Sequence, residues 1–246
     1  MEGELRRALG RARTATAGSE VELEVASRTD RGVSARANAL TVRSPLPGPS
    51  LLRQLNGADP DVYFTAAAPV PDDFRVRRAV RRTYRYFDAV PTHDLPRQRE
   101  AAALFAGRVD VRSFGRGVPP AAPVWRPVES VTVREVPGGT VVEVRAPSFV
   151  WGMVRKVIAA LREVDAGRLP LPRLHAALAG AARLSLPLAE PEALILWEVE
   201  HGVPWTVLWA GPNRAQATAE LRRRQGGWVR ARLLEVLGSL RVDPDA

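Results

Sequence analysis

A short run of charged residues, Arg28, Thr29, Asp30, Arg31 and Gly32, follows an alternating hydrophobic stretch. Asp30 is a carboxylate flanked by arginines, and neighbouring positive charge favours the ionised form of such a group. An ionised carboxylate in a basic groove is suited to act as a nucleophile or a base. The same residues also make an ordinary turn, because Asp bonds to nearby backbone and Gly accepts a positive φ. Spacing alone leaves both interpretations open.

A second cluster combines arginines with aromatic residues in the stretch RRTYRYF and just before it. Its arginines are Arg75, Arg77, Arg78, Arg81, Arg82 and Arg85. One interpretation is a solvated face whose aromatic residues Tyr84, Tyr86 and Phe87 lie in the core. The other is a phosphate-binding wall in which a tyrosine stacks on a nucleic-acid base. Such stacking contributes roughly 1 to 3 kcal/mol of binding energy per base. Both interpretations stay open.

The charge balance predicts the class of partner. The formal net charge of the 246-residue chain is +9, and such an excess favours a polyanion, above all nucleic acid. Lys156 is the only lysine, so nearly all of the positive charge is arginine. Arginine suits phosphate and stacking contacts, but base composition of the genome explains this bias equally well, and we give it no functional weight.

Several chemistries are excluded by what the chain lacks. It has no cysteine, which excludes disulfides, thiolate nucleophiles and cysteine-bound metals. Its three histidines, His93, His175 and His201, are far apart and form no metal-binding motif. The sequence also contains no glycine-rich loop that would hold nucleotide phosphates. We therefore expect no cofactor and no metal.

Two acidic pairs leave a metal-dependent nuclease as an alternative. Asp59 with Asp61, and Asp72 with Asp73, could bind magnesium, but each pair lies beside proline in a predicted loop. Turns and helix caps are the interpretation that we favour for them.

The hydrophobic pattern predicts a protein that is not membrane-bound. No apolar run approaches the roughly 18 to 20 residues of a membrane span. The N-terminal stretch MEGELRRALGRAR has no apolar core with a cleavage site after it, so we expect no secretory signal and a cytoplasmic location.

Hydrophobic periodicity predicts interspersed strands and helices. Strands are expected at 21–26, 37–43, 61–70, 83–87, 128–136, 140–146 and 193–201. Helices are expected at 3–12, 50–57, 97–107, 148–167 and 173–184, with two more after residue 201. This mixture, with a Pro-Gly-Gly turn at 137–139, favours an α+β fold in which helices pack on antiparallel sheets.

The hydrophobic pattern breaks at 90–100, where two prolines appear, and this break predicts a domain boundary. We expect an N-terminal catalytic half at 1–90 that carries the Ser-Arg-Thr-Asp segment. A C-terminal half at 91–201 and a helical extension at 202–246 follow.

Four segments, in order along the chain, resemble motifs of the tRNA pseudouridine synthase A (TruA) family. ASRTDRGVSARANAL resembles the family's G-R-T-D-x-G-V-H-A segment, and VPDDFRVRRAVRRTYRYF resembles its V-P-x-x-F-x-A-R and R-x-Y-R-Y elements. FVWGMVRKVIAALREVDAGRL is similar to its F-L-x-x-M-V-R helix, and AEPEALILWEVEH to its closing strand. The resemblance covers residues 2–201.

The chain departs from the family pattern at several positions. Ser27 replaces the usual glycine, and Ser34 replaces a histidine. Family members begin with a strand carrying Y-D-G, whereas here Met1 lies at the first predicted helix.

The resemblance implies a fold and an activity. The fold is the pseudouridine synthase fold, with two α/β halves of mixed, mainly antiparallel sheets joined around a basic active-site cleft. The activity is isomerisation of uridine to pseudouridine in the tRNA anticodon stem-loop, at positions 38, 39 and 40 in the family, without a cofactor. The resemblance also implies a homodimer that binds tRNA across both subunits. A catalytically inactive RNA-binding protein on the same fold is the alternative.

The resemblance further assigns roles to individual residues. Asp30 corresponds to the catalytic aspartate, and Tyr84 to a tyrosine that stacks on the target base. Arg155 corresponds to the basic residue that pairs with the catalytic carboxylate. Arg28 matches an arginine that helps to turn the nucleotide out of the stem. The flipped nucleotide costs a few kcal/mol in lost stacking and pairing, and we expect other arginines to bind phosphates and supply that energy, namely Arg31, Arg78 and Arg82.

Overall fold

The computed structural model describes residues 23–58, 62–119, 121, 123–207 and 212–239 of the chain. These residues form a mixed α+β fold. Its helices are α1 (Gly48–Ala58), α2 (Leu95–Ala103), α3 (Met153–Asp165), α4 (Leu171–Leu178) and α5 (Arg214–Ser239). Its strands are β1 (Leu23–Val25), β2 (Ser34–Ala35), β3 (Leu40–Val42), β4 (Ala66–Ala67), β5 (Arg81–Asp88), β6 (Gly107–Asp110), β7 (Trp125–Val128), β8 (Ser130–Val136), β9 (Gly139–Ala146), β10 (Leu194–Glu200) and β11 (Thr206–Val207). The predicted helix at 3–12 lies outside the described residues.

A five-stranded sheet with the order β2-β10-β5-β9-β8 is the centre of the fold. β2 runs parallel to β10, and the other neighbours are antiparallel. The expectation of an α+β fold with mixed, mainly antiparallel sheets is therefore confirmed. In the middle of the sheet, Tyr84 of β5 lies opposite Leu196 of β10 on one side and Val144 of β9 on the other.

Strand β5 sets where the three aromatic residues of the arginine cluster lie. Side chains alternate between the two faces of a strand, and Tyr84 and Tyr86 point to the buried face, where they are 8% and 1% exposed. Phe87 points to the opposite face and is 42% exposed. Two of the three aromatic residues therefore belong to the core.

Helix α3 covers the sheet with a broad apolar face. Its buried residues are Met153, Val154, Val157, Ile158, Ala159, Ala160, Leu161 and Val164. The predicted helix over 148–167 begins later, at Met153, because the preceding Gly152 has a φ of +76°, which does not continue a right-handed helix. Arg155 therefore lies in the first turn of α3.

Sequence periodicity missed four short strands, β2, β6, β7 and β11. The hairpin of β6 and β7 was not expected, and its strands are short. The predicted strand at 61–70 contains only the two-residue β4. The region after residue 201 contains one long helix, α5, among its described residues rather than two.

The described residues divide into two compact units. The first contains the described parts of 24–41 and 73–202, and the second those of 42–72 and 203–246. This division differs from the predicted halves at 1–90 and 91–201. The break in hydrophobicity at 90–100 coincides with the connection between β5 and α2, and the pairing of β5 with β9 joins strands from both sides of it in one sheet. The boundary between the predicted halves stays a prediction.

Helix α5 is anchored within its own unit by a reciprocal cap. Asn213 Oδ1 accepts from the backbone N–H of Gln216, and Gln216 Oε1 accepts from that of Asn213. The fully buried Gln216 also donates to the carbonyl of Val62 at 3.1 Å, while Asn213 donates to that of Asn56 at 2.7 Å. Such a capping box stabilises the start of a helix.

Among the helices described here, none has a stretch long and apolar enough to cross a lipid bilayer.

The β8–β9 hairpin supplies a first test of the fold. A Cβ at Gly139 would lie 2.0 Å from the carbonyl oxygen of Asp88, so we expect Gly139→Ala to lower the free energy of unfolding by about 2 kcal/mol or more. Gly202 lies in the same unit and faces open space, so Gly202→Ala should change that free energy by less than about 0.5 kcal/mol. Urea unfolding of both variants measures the difference, and equal stabilities would contradict the hairpin packing.

Candidate active site

Asp30 lies in a tight turn between β1 and β2. The backbone N–H of Val33 donates to the carbonyl of Asp30 at 3.1 Å, and Gly32 has a φ of +92°. A Cβ at Gly32 would lie 3.0 Å from the ring of Pro191. The turn interpretation and the carboxylate interpretation of this segment are thus compatible, since the turn presents the Asp30 side chain.

The ends of this turn are fixed to the sheet. Before it, the backbone N–H of Ala26 donates to the carbonyl of Ala39, and Asn38 Nδ2 donates to the carbonyl of Ser27 at 2.9 Å. After it, Ser34 of β2 lies opposite Ile195 of β10. The Asp30 loop is therefore attached on both sides, which limits the positions that the carboxylate can take.

Two side chains hold the Asp30 carboxylate, one at each oxygen. Arg155 Nη1 donates to Oδ2 at 3.0 Å, and Trp151 Nε1 donates to Oδ1 at 2.8 Å. The Asp30 side chain is 28% exposed and that of Arg155 14%. The ion pair is thus partly shielded from water, which strengthens it relative to a surface pair.

Arg155 is itself oriented by the chain that follows α4. Its Nε donates to the carbonyl of Ala189 at 2.5 Å, and its own carbonyl accepts from the backbone N–H of Ala189 at 3.3 Å. Because one edge of the guanidinium is bound to backbone, the other edge is directed at Asp30.

Tyr84 lies next to this pair, on the buried face of β5. Its ring packs edge-on against Phe149, with ring centroids 5.2 Å apart. Burial raises the pKa of Tyr84 to about 12, against smaller lowering effects of Arg82 and of a hydrogen bond with Ser27, and the Asp30 charge raises it further. The phenol therefore keeps its proton at neutral pH.

Arg82 is buried, with its guanidinium enclosed by protein acceptors. Its Nε donates to Ser27 Oγ at 2.8 Å, and its Nη2 donates to the carbonyls of Ala26 and Arg77 at 2.9 and 2.8 Å. Its Nη1 donates to the carbonyl of Pro147. Burial lowers the pKa of this guanidinium. Arg82 thus connects β5 to the base of the Asp30 loop.

The remaining arginines of the predicted site lie at the surface. Arg28, Arg31 and Arg78 are all exposed, and the first two flank Asp30 in the turn. Within the described residues, neither Arg75 nor Arg78 forms an ion pair.

Other members of the arginine cluster are neutralised by carboxylates. Arg77 pairs with Glu24, Arg81 with Glu129 and Glu200, and Arg85 with Glu143. Only part of the predicted phosphate-binding wall therefore carries charge that is available to a ligand.

A second polar network supports the segment that orients Arg155. Arg162, two turns further along α3, donates to both carboxylate oxygens of Asp88 at 2.8 and 2.9 Å and to Glu190 at 2.8 Å. Tyr86 donates to the same Glu190 oxygen at 2.9 Å. Hydrogen bonds from backbone, Arg162 and Tyr86 lower the pKa of Glu190 to about 2. This network fixes Glu190, the residue next to the Ala189 that orients Arg155. A cavity of about 380 Å³ borders it, and the cavity lining does not include Asp30.

Sequence reasoning missed two residues of the site. Ser27, which stands where the family pattern has glycine, contacts Arg82 and Tyr84. Trp151 contacts Asp30, and its place just before the Met-Val-Arg segment of α3 was the only signal in the sequence. Of the predicted residues, the fold brings Asp30, Tyr84 and Arg155 together.

Of the two acidic pairs considered for a metal, only the second lies within the described residues. Asp59 and Asp61 lie outside the described residues, and Asp72 and Asp73 are exposed, with Asp72 3.7 Å from Arg43. Within the described ranges, no group of three or more His, Asp or Glu side chains is placed to hold a metal ion.

The burial of Arg82 can be tested against an exposed neighbour. Arg82→Met leaves three carbonyls and a hydroxyl without their donor, so we expect the free energy of unfolding to fall by about 2 kcal/mol or more. Arg78→Met, at the surface, should change it by less than about 0.5 kcal/mol. Urea unfolding at neutral pH compares the two variants, and equal losses would contradict the structural role of Arg82.

The raised pKa of Tyr84 predicts how stability depends on pH. A tyrosine whose pKa rises from 10.0 to about 12 on folding stabilises the fold fully below pH 10, and this contribution is lost as the pH rises through 12. Phenylalanine has no proton to lose. Between pH 9 and pH 11, the wild type should therefore lose about 1 kcal/mol more unfolding free energy than Tyr84→Phe. Urea unfolding of both proteins at pH 9 and pH 11 measures this difference. Equal losses of unfolding free energy in the wild type and Tyr84→Phe would contradict the raised pKa of Tyr84.

Comparisons with known proteins bear on the family of this chain. A family model described as tRNA pseudouridine synthase matches residues 101–201, which include Arg155. A protein of Thermococcus kodakarensis is 38% identical over 204 residues, 82% of this chain and 76% of the relative. One of Methanosphaerula palustris is 33% identical over 245 residues, 99% of this chain and 86% of the relative. One of Pyrococcus furiosus is 34% identical over 205 residues, which are 82% of this chain and 74% of the relative.

All three relatives bear the name tRNA pseudouridine synthase A, and the match with the second of them takes in nearly the whole chain, including the Asp30 loop. The four motifs, the pairing of Asp30 with Arg155 beside Tyr84, and this likeness lead to one conclusion. The chain belongs to the tRNA pseudouridine synthase A family, whose members are isomerases.

Proposed function

We propose that this protein converts uridine to pseudouridine in the anticodon stem-loop of tRNA, with Asp30 as the catalytic residue. The observation that supports this most strongly is the position of the Asp30 carboxylate, held by Arg155 at 3.0 Å and adjacent to Tyr84. Membership of the family supplies the substrate class, and the net charge of +9 suits a polyanionic substrate.

The reaction is an isomerisation, so its atoms balance without a second reactant. The bond between C1′ of the ribose and N1 of uracil breaks, and a bond between C1′ and C5 forms. The proton on C5 leaves, and N1 of the product carries a proton. No electrons are gained or lost overall, so this chemistry does not require an oxidant, a reductant or a nucleotide cofactor.

Three side chains perform the steps in this proposal. Asp30, held by its ion pair with Arg155, acts at the target nucleotide as the nucleophile or base. Arg155 stabilises the carboxylate and fixes its direction. Tyr84 contacts the target base, and because its phenol is protonated at neutral pH it can donate a hydrogen bond to the uracil ring.

Binding energy for nucleotide flipping comes from exposed cations in this proposal. Moving a base out of a stem costs a few kcal/mol. Arg28, Arg31 and Arg78 are exposed and contact phosphates near the target nucleotide. Arg82 acts indirectly, since its guanidinium holds the loop of Asp30 in place through Ser27 and Ala26. We propose that two copies of the chain together bind one tRNA.

Asp30→Asn tests the catalytic assignment. The amide keeps the size of the side chain but can act neither as a nucleophile nor as a base, so we expect the rate of pseudouridine formation to fall at least about 100-fold. Binding of tRNA should not weaken. The measurement is product formation on an anticodon stem-loop RNA with its uridines replaced one at a time, together with a tRNA binding curve.

Asp73→Asn is the matched control, because Asp73 is exposed and lies in the same unit. It should keep the wild-type rate. Full activity of Asp30→Asn would contradict the assignment of Asp30. A wild-type protein that binds tRNA in a salt-dependent way but forms no pseudouridine would instead be an inactive RNA-binding member of the family.

A further inference from the structure

The indole of Trp151 contacts the carboxylate of Asp30 although neither the motifs nor the comparisons assign it a role. Its Nε1–H donates to Asp30 Oδ1 at 2.8 Å, while its side chain is 57% exposed. We infer that Trp151 is a positioning residue, which sets the rotation of the Asp30 carboxylate for the reaction. This inference rests on the proposed function and deepens it.

The Trp151 donor restricts a rotation of the Asp30 carboxylate that the Arg155 donor alone would allow. The terminal torsion of an aspartate is broad, so a bond at one oxygen leaves the carboxylate free to rotate. Arg155 binds Oδ2 from the buried side, and Trp151 binds Oδ1 from the exposed side. With one donor on each oxygen, the plane of the carboxylate is defined, which is what attack or proton abstraction in one direction requires.

The chemistry of the two donors matters as well. An indole N–H is a donor only, and a guanidinium does not lose its proton in proteins. Neither group can therefore protonate Asp30. A histidine or lysine in the place of Trp151 could exchange a proton with the carboxylate, whereas this pair orients it and leaves proton exchange to the substrate.

Trp151 is itself held in place. Its carbonyl accepts from the backbone N–H of Arg116 at 2.7 Å, and the guanidinium carbon of Arg116 lies 4.1 Å from the indole ring centroid. Gly152 follows with a φ of +76°, and a Cβ there would lie 3.0 Å from Leu188. The direction of the indole is therefore set by backbone geometry and by stacking with a cation.

Positive charge is dense behind the indole. Lys156 Nζ lies 3.4 Å from the carbonyls of Ser113 and Gly115, and its pKa is lowered by burial and by the charges of Arg183 and Arg116. Arg116, which stacks on the indole, thus lies in a region of positive charge.

Stacking under an arginine does not by itself single out Trp151. Trp125 lies beneath Arg108, with 5.7 Å from the guanidinium carbon to the ring centroid, and Trp197 beneath Arg85 at 4.0 Å. The bond to Asp30 is what distinguishes Trp151. Trp125, on β7 in the same unit and partly buried, therefore offers a matched control for a Trp→Phe substitution.

Trp151→Phe removes the N–H donor and keeps a ring for Arg116. We expect the single-turnover rate of pseudouridine formation to fall about 10-fold or more, as for loss of a hydrogen bond to a charged acceptor. The Kd for tRNA should change by less than about twofold, because the loss lies in orientation rather than binding. Trp125→Phe should keep both the rate and the Kd of the wild type.

Three outcomes would contradict the role of Trp151. A wild-type rate in Trp151→Phe, or an equal loss of rate in Trp125→Phe, would overturn the inference. So would a loss of tRNA binding that accounts for the whole effect. Absence of product with the wild type itself would be a failure of the proposed function, and it is recognised in the same assay.

A spectroscopic measurement tests the contact independently of activity. The chain has six tryptophans, and the indole ¹⁵N–¹H signal that disappears in Trp151→Phe identifies Trp151. In Asp30→Asn the charged acceptor is gone, so this signal should move while that of Trp125 stays in place. An unmoved Trp151 signal would overturn the inference even if the enzyme is active.

Discussion

The ion pair between Asp30 and Arg155 is the interaction on which the rest of the site depends. It joins two segments that are far apart in sequence, a turn after β1 and the first turn of α3, across 3.0 Å. A partly buried charge is costly unless it is paired, so each partner lowers the cost of burying the other. The surrounding structure supplies what each needs: Ala189 holds the guanidinium, and the strand pairing of β2 holds the loop.

Arginine serves two distinct purposes in this protein. Some arginines are structural cross-links: Arg82 ties β5 to the Asp30 loop, and Arg162 binds Asp88 and Glu190 behind the segment that orients Arg155. Others, such as Arg78, are exposed. A planar group with five donors can satisfy several buried acceptors at once, which explains why a chain rich in arginine can use part of its positive charge inside the fold and still present the rest to a polyanion.

The success of the sequence predictions depended on the range of the interactions involved. Helix α3, strand β5 and the β8–β9 hairpin follow from local periodicity and turn residues, and they were predicted close to their observed bounds. The strands of the β6–β7 hairpin are too short to show a period. The pairing of β5 with β9 spans more than fifty residues, and no local pattern records such a partner.

The sequence by itself determined the family and the α+β class, because these follow from motifs and short-range periodicity. It also predicted a site of Asp30, Tyr84 and Arg155, which the folded chain brings close together. Only the tertiary structure decided which arginines are buried in the fold and which are exposed. Arg78 and Arg82 belong to one arginine cluster in the sequence, yet Arg78, which precedes β5, is exposed, and Arg82 on β5 is buried. The acceptors that enclose Arg82, among them Ser27, come together only in the folded chain. For the same reason Trp151, more than a hundred residues from Asp30, entered the site only when the fold brought its indole to the carboxylate.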